Sequence, residues 1–376
     1  MAQPPDRGAA PSVAQVPLAP YTTLRLGGPA RRFAEAADDV ELVAQVWAAD
    51  ERGEPLLVLG GGSNLVVADA GFPGTVVHVA TRGVRPRPDG DSVLLTVAAG
   101  EDWDTVVAGT VADGLAGLEC LSGIPGLAGA TPIQNVGAYG QEVAQTLVAV
   151  RGYDRARGEV VDLTAAECGF GYRTSAFKRS LHSWASGPAV TGRFVVLGVT
   201  FRLERSAESA PVRYAELARA LGIGEGGRAP LGEVRSAVLA LRRRKGMVLD
   251  AADPDTRSAG SFFTNPVLDL AGFAALERAV AATCGPGTRV PTFPTGPGQV
   301  KVPAAWLIER AGFAKGYAPG PDTGARISAK HTLALVNPGG ATTASLLALA
   351  REVAGGVRKA FGVDLAAEPV LVGVDL

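Results

Sequence analysis

Histidine and cysteine are scarce in this chain, with three of each in 376 residues. His78, His182 and His331 form no pair with metal-ligand spacing such as H-x-x-x-H, so no metal site is expected. Cys120, Cys168 and Cys284 lie far apart and make no C-x-x-C pair, which argues against a disulfide framework or a cysteine zinc site and fits a reducing compartment. An excess of one charge is also missing. The 36 basic and 37 acidic side chains leave a net charge of -1, so nothing in the balance draws the protein to nucleic acid or an anionic membrane. Any anionic ligand must be held by a local site. The opening residues MAQPPDRGAAPSVAQVP lack the apolar core of a secretory signal, and no apolar run reaches the roughly 18 residues that span a bilayer. The expectation is a soluble cytoplasmic protein.

What is present is a folding composition, 47% hydrophobic and 19% charged, in a chain long enough for about two to three domains. Glycine, at 49 residues, calls for tight turns or close backbone approaches to a ligand. Residues 1–18, rich in Pro and Ala, read as a disordered extension. Helical spacing of Val40, Val43, Val46 and Trp47 after Asp38 predicts a helix, and the apolar run Leu56–Leu59 predicts a buried strand ending in GGGSN. Further strands are predicted near residues 93–97, 147–152, 160–163 and 194–203, and helices near 102–113, 231–243, 268–283, 303–311 and 344–361. Helices and strands mix without regular alternation, which makes the class α+β. A composition shift at Arg205–Pro211 suggests a domain boundary.

Two glycine segments stand out: GGGSN, from Gly60 through Gly61, Gly62 and Ser63 to Asn64, and the stretch 118–143 with Gly123, Gly126 and Gly129. Neither has the strand–G-x-G-x-x-G–helix context of a Rossmann site. Both can present concave runs of backbone N–H groups to phosphate oxygens, with Ser63, Asn64, Thr131, Gln134 and Asn135 adding side-chain donors. Taken alone, GGGSN is better explained by a tight turn; two such segments in one region point to a dinucleotide.

TTLRLGGPA, VLGGGSNLVV and SGIPGLAGATPIQNVGAYGQEV, in this order and spacing, resemble the FAD-binding half of UDP-N-acetylenolpyruvoylglucosamine reductases, flavoproteins of the vanillyl-alcohol-oxidase type. The resemblance continues through ECGFGYRTSAFK, RRRKGMVLD, AGSFFTNP, residues 301–316 and FGVDLAAEPVLVG, and so covers Tyr21 to the end. It implies a two-part FAD-binding region (19–86 and 87–205) of the vanillyl-alcohol-oxidase (PCMH) type, followed by an α+β substrate-binding domain (206–376). FAD contacts are implied for both glycine segments, including Ala130 and Gly137. The implied reaction is NADPH-dependent reduction of UDP-N-acetylglucosamine enolpyruvate to UDP-N-acetylmuramate, a step of peptidoglycan precursor synthesis.

Hydride addition to an enolpyruvyl group pushes charge into an enolate beside a carboxylate, which the protein must stabilise and then protonate. Arg173, in the apolar stretch FGYR, reads by itself as half of a structural ion pair; the resemblance makes it the enolate-stabilising arginine. Ser261, between Gly260 and two phenylalanines, reads as a turn serine, and by resemblance is the proton donor to the α-carbon. Glu368, ahead of Pro369, reads as a solvated strand end, and by resemblance is the third catalytic residue. Lys245, after three arginines, reads as a solvated helix end; the resemblance sets it near the substrate carboxylate or the NADPH phosphates. Asn265 matches a substrate-binding asparagine, and Tyr214 the tyrosine that closes over the UDP part in one subtype. His331 matches a position near the substrate and reads equally as a satisfied strand-edge histidine.

Two other readings compete. An oxygen-dependent oxidase of the same fold commonly tethers FAD through a first-domain histidine, and the histidine available there, His78, lies away from the glycine segments. A non-catalytic relative would be expected to lose Arg173, Ser261 or Glu368, and all three are present. The mechanism expected is two half-reactions at one site with ping-pong kinetics, in a monomer with no partner beyond its UDP-sugar and NADPH.

Overall fold

The computed structural model describes residues 12–183, 190–293, 295–321 and 323–376, and the chain divides into two compact units. The first contains the stretch up to Val16, Pro29–Gly62 and Phe72–Val248; the second contains Pro17–Gly28, Ser63–Gly71 and Leu249–Leu376. No described helix is long and apolar enough to cross a membrane.

The first unit begins with a βαβ arrangement. The Asp38 carboxylate accepts the Glu41 N–H at 2.8 Å and starts the helix Asp39–Glu51, a cap worth about 1 kcal/mol. Leu42, Val46 and Ala49 are buried on one face of that helix. The chain returns as the strand Leu56–Leu59, which pairs in parallel with Phe72–Val79, itself parallel to Pro29–Ala36. An antiparallel sheet comes next, in the order Glu159–Thr164, Leu147–Asp154, Phe194–Arg205, Ser92–Ala98, Val84–Asp89. Its middle strand buries Val199, Phe201 and Leu203, alternate residues that share one face, and a bulge between Val196 and Gly198 interrupts the alternation before them. Trp103, opening the helix Trp103–Ala112, packs on Phe201 at 5.7 Å between ring centroids.

The boundary expected near residue 205 falls later. Helix Leu231–Arg244 places Val234, Val238 and Leu241 in a small core with Cys120, Val212 and Leu217. Arg235 grips both oxygens of Asp104, at 2.6 and 2.9 Å. Residues 206–248 therefore pack with the first unit. The disorder expected over residues 1–18 does not extend to the described residues 12–18. Residues 1–11 lie outside the described chain, whereas Val13 exchanges two 2.8 Å backbone hydrogen bonds with Phe33 and Leu18 is fully buried.

In the second unit the helices Leu270–Cys284, Ala304–Arg310 and Thr343–Phe361 share a core with Phe262 and Phe263. Two early segments belong here and not to a continuous 19–86 subdomain. The strand Leu65–Val67 pairs in parallel with Val370–Val372. Asp69 then accepts the N–H groups of Thr343 and Ala344 at 2.8 and 2.9 Å, satisfying first-turn donors of the last helix.

Candidate functional site

The glycine segments show why side chains are missing from them. A Cβ on Gly61 would lie 2.8 Å from the Gly126 Cα, so the two segments meet backbone to backbone. Gly126 and Gly62 have φ of 120° and 57°, a region that favours glycine. Residues 126–129 run against 99–103: Trp103 N–H donates to the Gly126 carbonyl at 3.0 Å, and the Ala128 and Gly129 N–H groups donate to Glu101 and Ala99 carbonyls at 2.8 and 2.9 Å. A Cβ on Gly129 would meet that of Ala99 at 2.5 Å. Ala130 is half-buried just beyond.

Two of the expected side-chain donors are occupied. The Thr131 hydroxyl, buried, donates to the Ala128 carbonyl at 2.7 Å. Asn135 is buried; its amide donates to Glu142 Oε2 at 2.7 Å and to the Gly171 carbonyl at 3.2 Å, and its oxygen accepts the Ala144 N–H. Both amide hydrogens being used inside the protein, Asn135 shapes the loop and has no donor left for a phosphate. Gln134 Oε1 accepts from Lys178 Nζ at 3.4 Å. Ser63 and Asn64 belong to the second unit, where the Asn64 amide donates to the Glu368 carbonyl at 3.3 Å.

Arg173 sits at the tip of a tight turn. Gly171 and Thr174 exchange backbone hydrogen bonds at 3.1 and 3.3 Å, leaving Tyr172 and Arg173 between them, and Arg173 has a φ of 51°. Its guanidinium donates to the carbonyls of Gly137 at 3.1 Å and Asn135 at 3.4 Å. Carbonyl oxygens orient a guanidinium without cancelling its charge. Gly137 thus contributes through its carbonyl as well as by opening the short hairpin Gly137–Ala138/Gln141–Glu142.

The segments that carry Ser261 and Glu368 pair within the second unit. Gly260, at φ 73°, turns the chain into Ser261; Phe262 and Phe263, both buried, anchor the segment beyond it. Phe262 donates its N–H to the Leu333 carbonyl, and its own carbonyl accepts the Glu368 N–H, both at 2.8 Å. Thr264 N–H donates to Ala366 at 3.0 Å, completing a short antiparallel contact. The Val370 N–H then donates to the Asn64 carbonyl at 2.9 Å. Asn265 supports the backbone, since its side-chain oxygen accepts the Ala304 N–H at 2.9 Å, at the start of a helix whose Pro303 offers no side-chain cap. His331 lies in the turn before Leu335–Val336, its N–H on Ser328 Oγ at 3.2 Å.

Lys245 ends the helix Leu231–Arg244, and its Nζ lies 2.8 Å from Glu216 Oε2 and 5.9 Å from the centroid of the Tyr139 ring. Tyr139 meets Tyr214 edge to face at 5.4 Å, and Tyr214 directly precedes the helix Ala215–Leu221 that carries Glu216. Burial pushes the Tyr139 hydroxyl up to about 12, so it stays protonated at neutral pH. Arg242, one turn before Lys245, is pushed down by burial to about 10 and still carries its charge. Tyr139, Glu216 and Arg242 escaped the sequence reading. The one signal for Tyr139 was its place in GAYG; its φ of 50° has no signature in a single sequence.

Residues 30–164 match the model of an FAD binding domain, and residues 253–372 match that of the UDP-N-acetylenolpyruvoylglucosamine reductase C-terminal domain. The UDP-N-acetylenolpyruvoylglucosamine reductase of Thermobifida fusca is 58% identical over 362 residues, covering 96% of this chain and 98% of that protein. The protein of the same name from Streptomyces coelicolor is 58% identical over 361 residues, covering 96% and 90%. Among solved structures, the UDP-N-acetylenolpyruvylglucosamine reductase of Thermus caldophilus matches with a TM-score of 0.61 at 26% identity, covering 96% of this chain and 99% of that one.

Proposed function

The chain belongs to the UDP-N-acetylenolpyruvoylglucosamine reductase family, and on that premise we propose that Arg173, Ser261 and Glu368 carry the NADPH-dependent reduction of UDP-N-acetylglucosamine enolpyruvate to UDP-N-acetylmuramate. This is an FAD-dependent step of peptidoglycan precursor synthesis. The residues fit the cofactor: Gly61 and Gly126 meet so closely that a Cβ on Gly61 would clash, which brings two glycine-rich runs of backbone amides together, the kind of surface that binds a pyrophosphate. Gly60, Gly61 and Gly62 with Gly126 and Gly129 would hold it. When bound, FAD supplies the hydride that the β-carbon of the enolpyruvyl group receives.

The protein's own part is charge and a proton. The Arg173 guanidinium, aimed by two carbonyls and permanently charged, stabilises the enolate. Ser261 delivers the proton to the α-carbon; its hydroxyl is a weak acid, and the segment of Glu368, bonded to the neighbouring residue, supplies a carboxyl to support it. The observation that supports this reading is the Phe262–Glu368 backbone bond, which joins the segment of the glutamate to the residue that follows Ser261. Tyr214 and Lys245 bind the anionic sugar nucleotide, and His331 and Asn265 belong to sequence motifs of the same role. We place the reaction in the cytoplasm, with the protein working as a monomer on small-molecule substrates.

The test is the anaerobic visible spectrum of the purified protein after one equivalent of NADPH and then of the enolpyruvyl sugar nucleotide. Bleaching followed by recovery of colour on adding the sugar is the expected outcome. Bleaching reversed by oxygen and not by the sugar would replace the reductase reading with an oxidase.

A further inference from the structure

The Lys245 ammonium has two neighbours of different kinds. One is the Glu216 carboxylate, bonded to it at 2.8 Å; the other is the face of Tyr139, 5.9 Å away. The pair is open to solvent, with a third of the Lys245 side chain and 38% of that of Glu216 exposed. An incoming anion competes with a carboxylate for an ammonium, but it does not compete with an aromatic face. The lysine can therefore change its anionic partner while the ring keeps it in place. Tyr139 is itself braced by Tyr214 at 5.4 Å, and the charged Arg242 nearby donates to the Met247 carbonyl at 2.8 Å, so the surroundings stay positive when the partner changes.

We propose that Glu216 is a built-in competitor for Lys245, holding the ammonium until an anionic group of the sugar nucleotide displaces it, and thereby setting the affinity of the site and its selection for charged ligands. This rests on Lys245 being an anion-binding residue. Glu216 touches neither substrate nor cofactor in this role; it acts through Lys245 alone.

The experiment is an equilibrium titration of the oxidised, FAD-loaded protein with UDP-N-acetylglucosamine enolpyruvate in the absence of NADPH, so that binding is read without turnover. Glu216→Gln, nearly isosteric and partly exposed, should tighten binding by about two- to fivefold, the range of an exposed ion pair removed as competitor. Lys245→Met should weaken binding, and adding Glu216→Gln to it should change nothing further. If Lys245→Met weakens binding while Glu216→Gln leaves it equal or weaker, Glu216 positions the lysine and the competitor role is wrong. If Lys245→Met has no effect, the assignment of Lys245 fails first and the inference falls with it.

Discussion

The two units hold their candidate catalytic residues by opposite means. In the first, Asn135, Tyr139 and Arg173 all adopt the left-handed backbone region, with φ between 49° and 51°, and Tyr139 and Arg173 each sit in a two-residue turn. In the second, Ser261 and Glu368 are fixed by pairing between segments far apart in the chain, with the N–H of Glu368 on the carbonyl of Phe262. Local backbone strain of about 1–2 kcal/mol per residue aims the arginine, whereas long-range backbone pairing joins the segments that carry the serine and the glutamate. The first unit's site should therefore tolerate loss of a side chain without unfolding, and the second's chemistry should be the more sensitive to single atoms.

Ser261→Ala offers the largest effect by which to break this contrast. Removing one hydroxyl should slow reoxidation of the reduced enzyme by the sugar nucleotide about 10²- to 10⁴-fold, the usual worth of a positioned acid, while reduction by NADPH proceeds nearly as before. Stopped-flow absorbance of each half-reaction is the measurement. Equal loss in both halves would remove Ser261 from the proton-donor role. Arg173→Gly comes next, with an expected loss of about 10²- to 10³-fold in the same half-reaction. Glycine accepts a φ of 51° without strain, so the melting temperature should hold or rise. A large fall in melting temperature would mean that the two guanidinium–carbonyl bonds serve the fold before the chemistry.

The same contrast explains what the sequence could disclose. The sequence disclosed the helix now seen at Leu231–Arg244, which buries one apolar face, and the strand Leu56–Leu59, an apolar run buried along nearly its whole length. It missed the strand Val84–Asp89, where Pro86 and Pro88 read as breakers yet are tolerated at the sheet edge. It also assigned Thr131 and Asn135 to a phosphate from residue type, although the Thr131 hydroxyl answers a carbonyl of its own loop and the Asn135 amide answers the Glu142 carboxylate and the Gly171 carbonyl. Ser261 and Glu368 were unremarkable one by one. What pairs them is a backbone bond between distant segments, which no local pattern encodes, and only family motifs pointed to them.

Gly61→Ala tests the cradle at moderate size. The new Cβ would stand 2.8 Å from the Gly126 backbone, which cannot swing away as a flexible side chain does, so we expect a cost of about 1–3 kcal/mol and a protein purified with less flavin. Flavin content per chain and the melting temperature read the two effects separately. A fully loaded variant of unchanged stability would show that the two segments part freely and do not form a fixed cradle.

The ion pairs sharpen the comparison at its smallest scale. Burial works to raise the Asp104 carboxyl, but hydrogen bonds from Arg235 and the Gly123 N–H, with the positive charges of Arg235 and Arg242, hold it below its ordinary value. In the second unit the hydrogen bond from Lys330 holds the Asp253 carboxyl below its own ordinary value, and the same bond raises Lys330. A carboxyl depressed in the folded state contributes stability above its unfolded value that is lost as pH falls through the folded one. Lys330 adds the mirror image, a contribution complete below its unfolded value and lost as pH rises through the folded one. Asp104→Asn breaks a bidentate pair whose arginine is mostly buried, and should cost about 1.5–3 kcal/mol at neutral pH. Asp253→Asn, facing a lysine side chain 39% exposed, should cost about 0–1 kcal/mol. Denaturant melts from neutral pH into acid should show each variant converging on the parent as the parent's carboxyl takes up its proton. If the Asp253 gap at neutral pH proves the larger of the two, the second unit depends on that ion pair more than the first depends on the grip of Arg235, and residues 206–248 are held to the first unit chiefly by other contacts, such as the apolar ones of Val234, Val238 and Leu241 and the Ala210 N–H on Glu119.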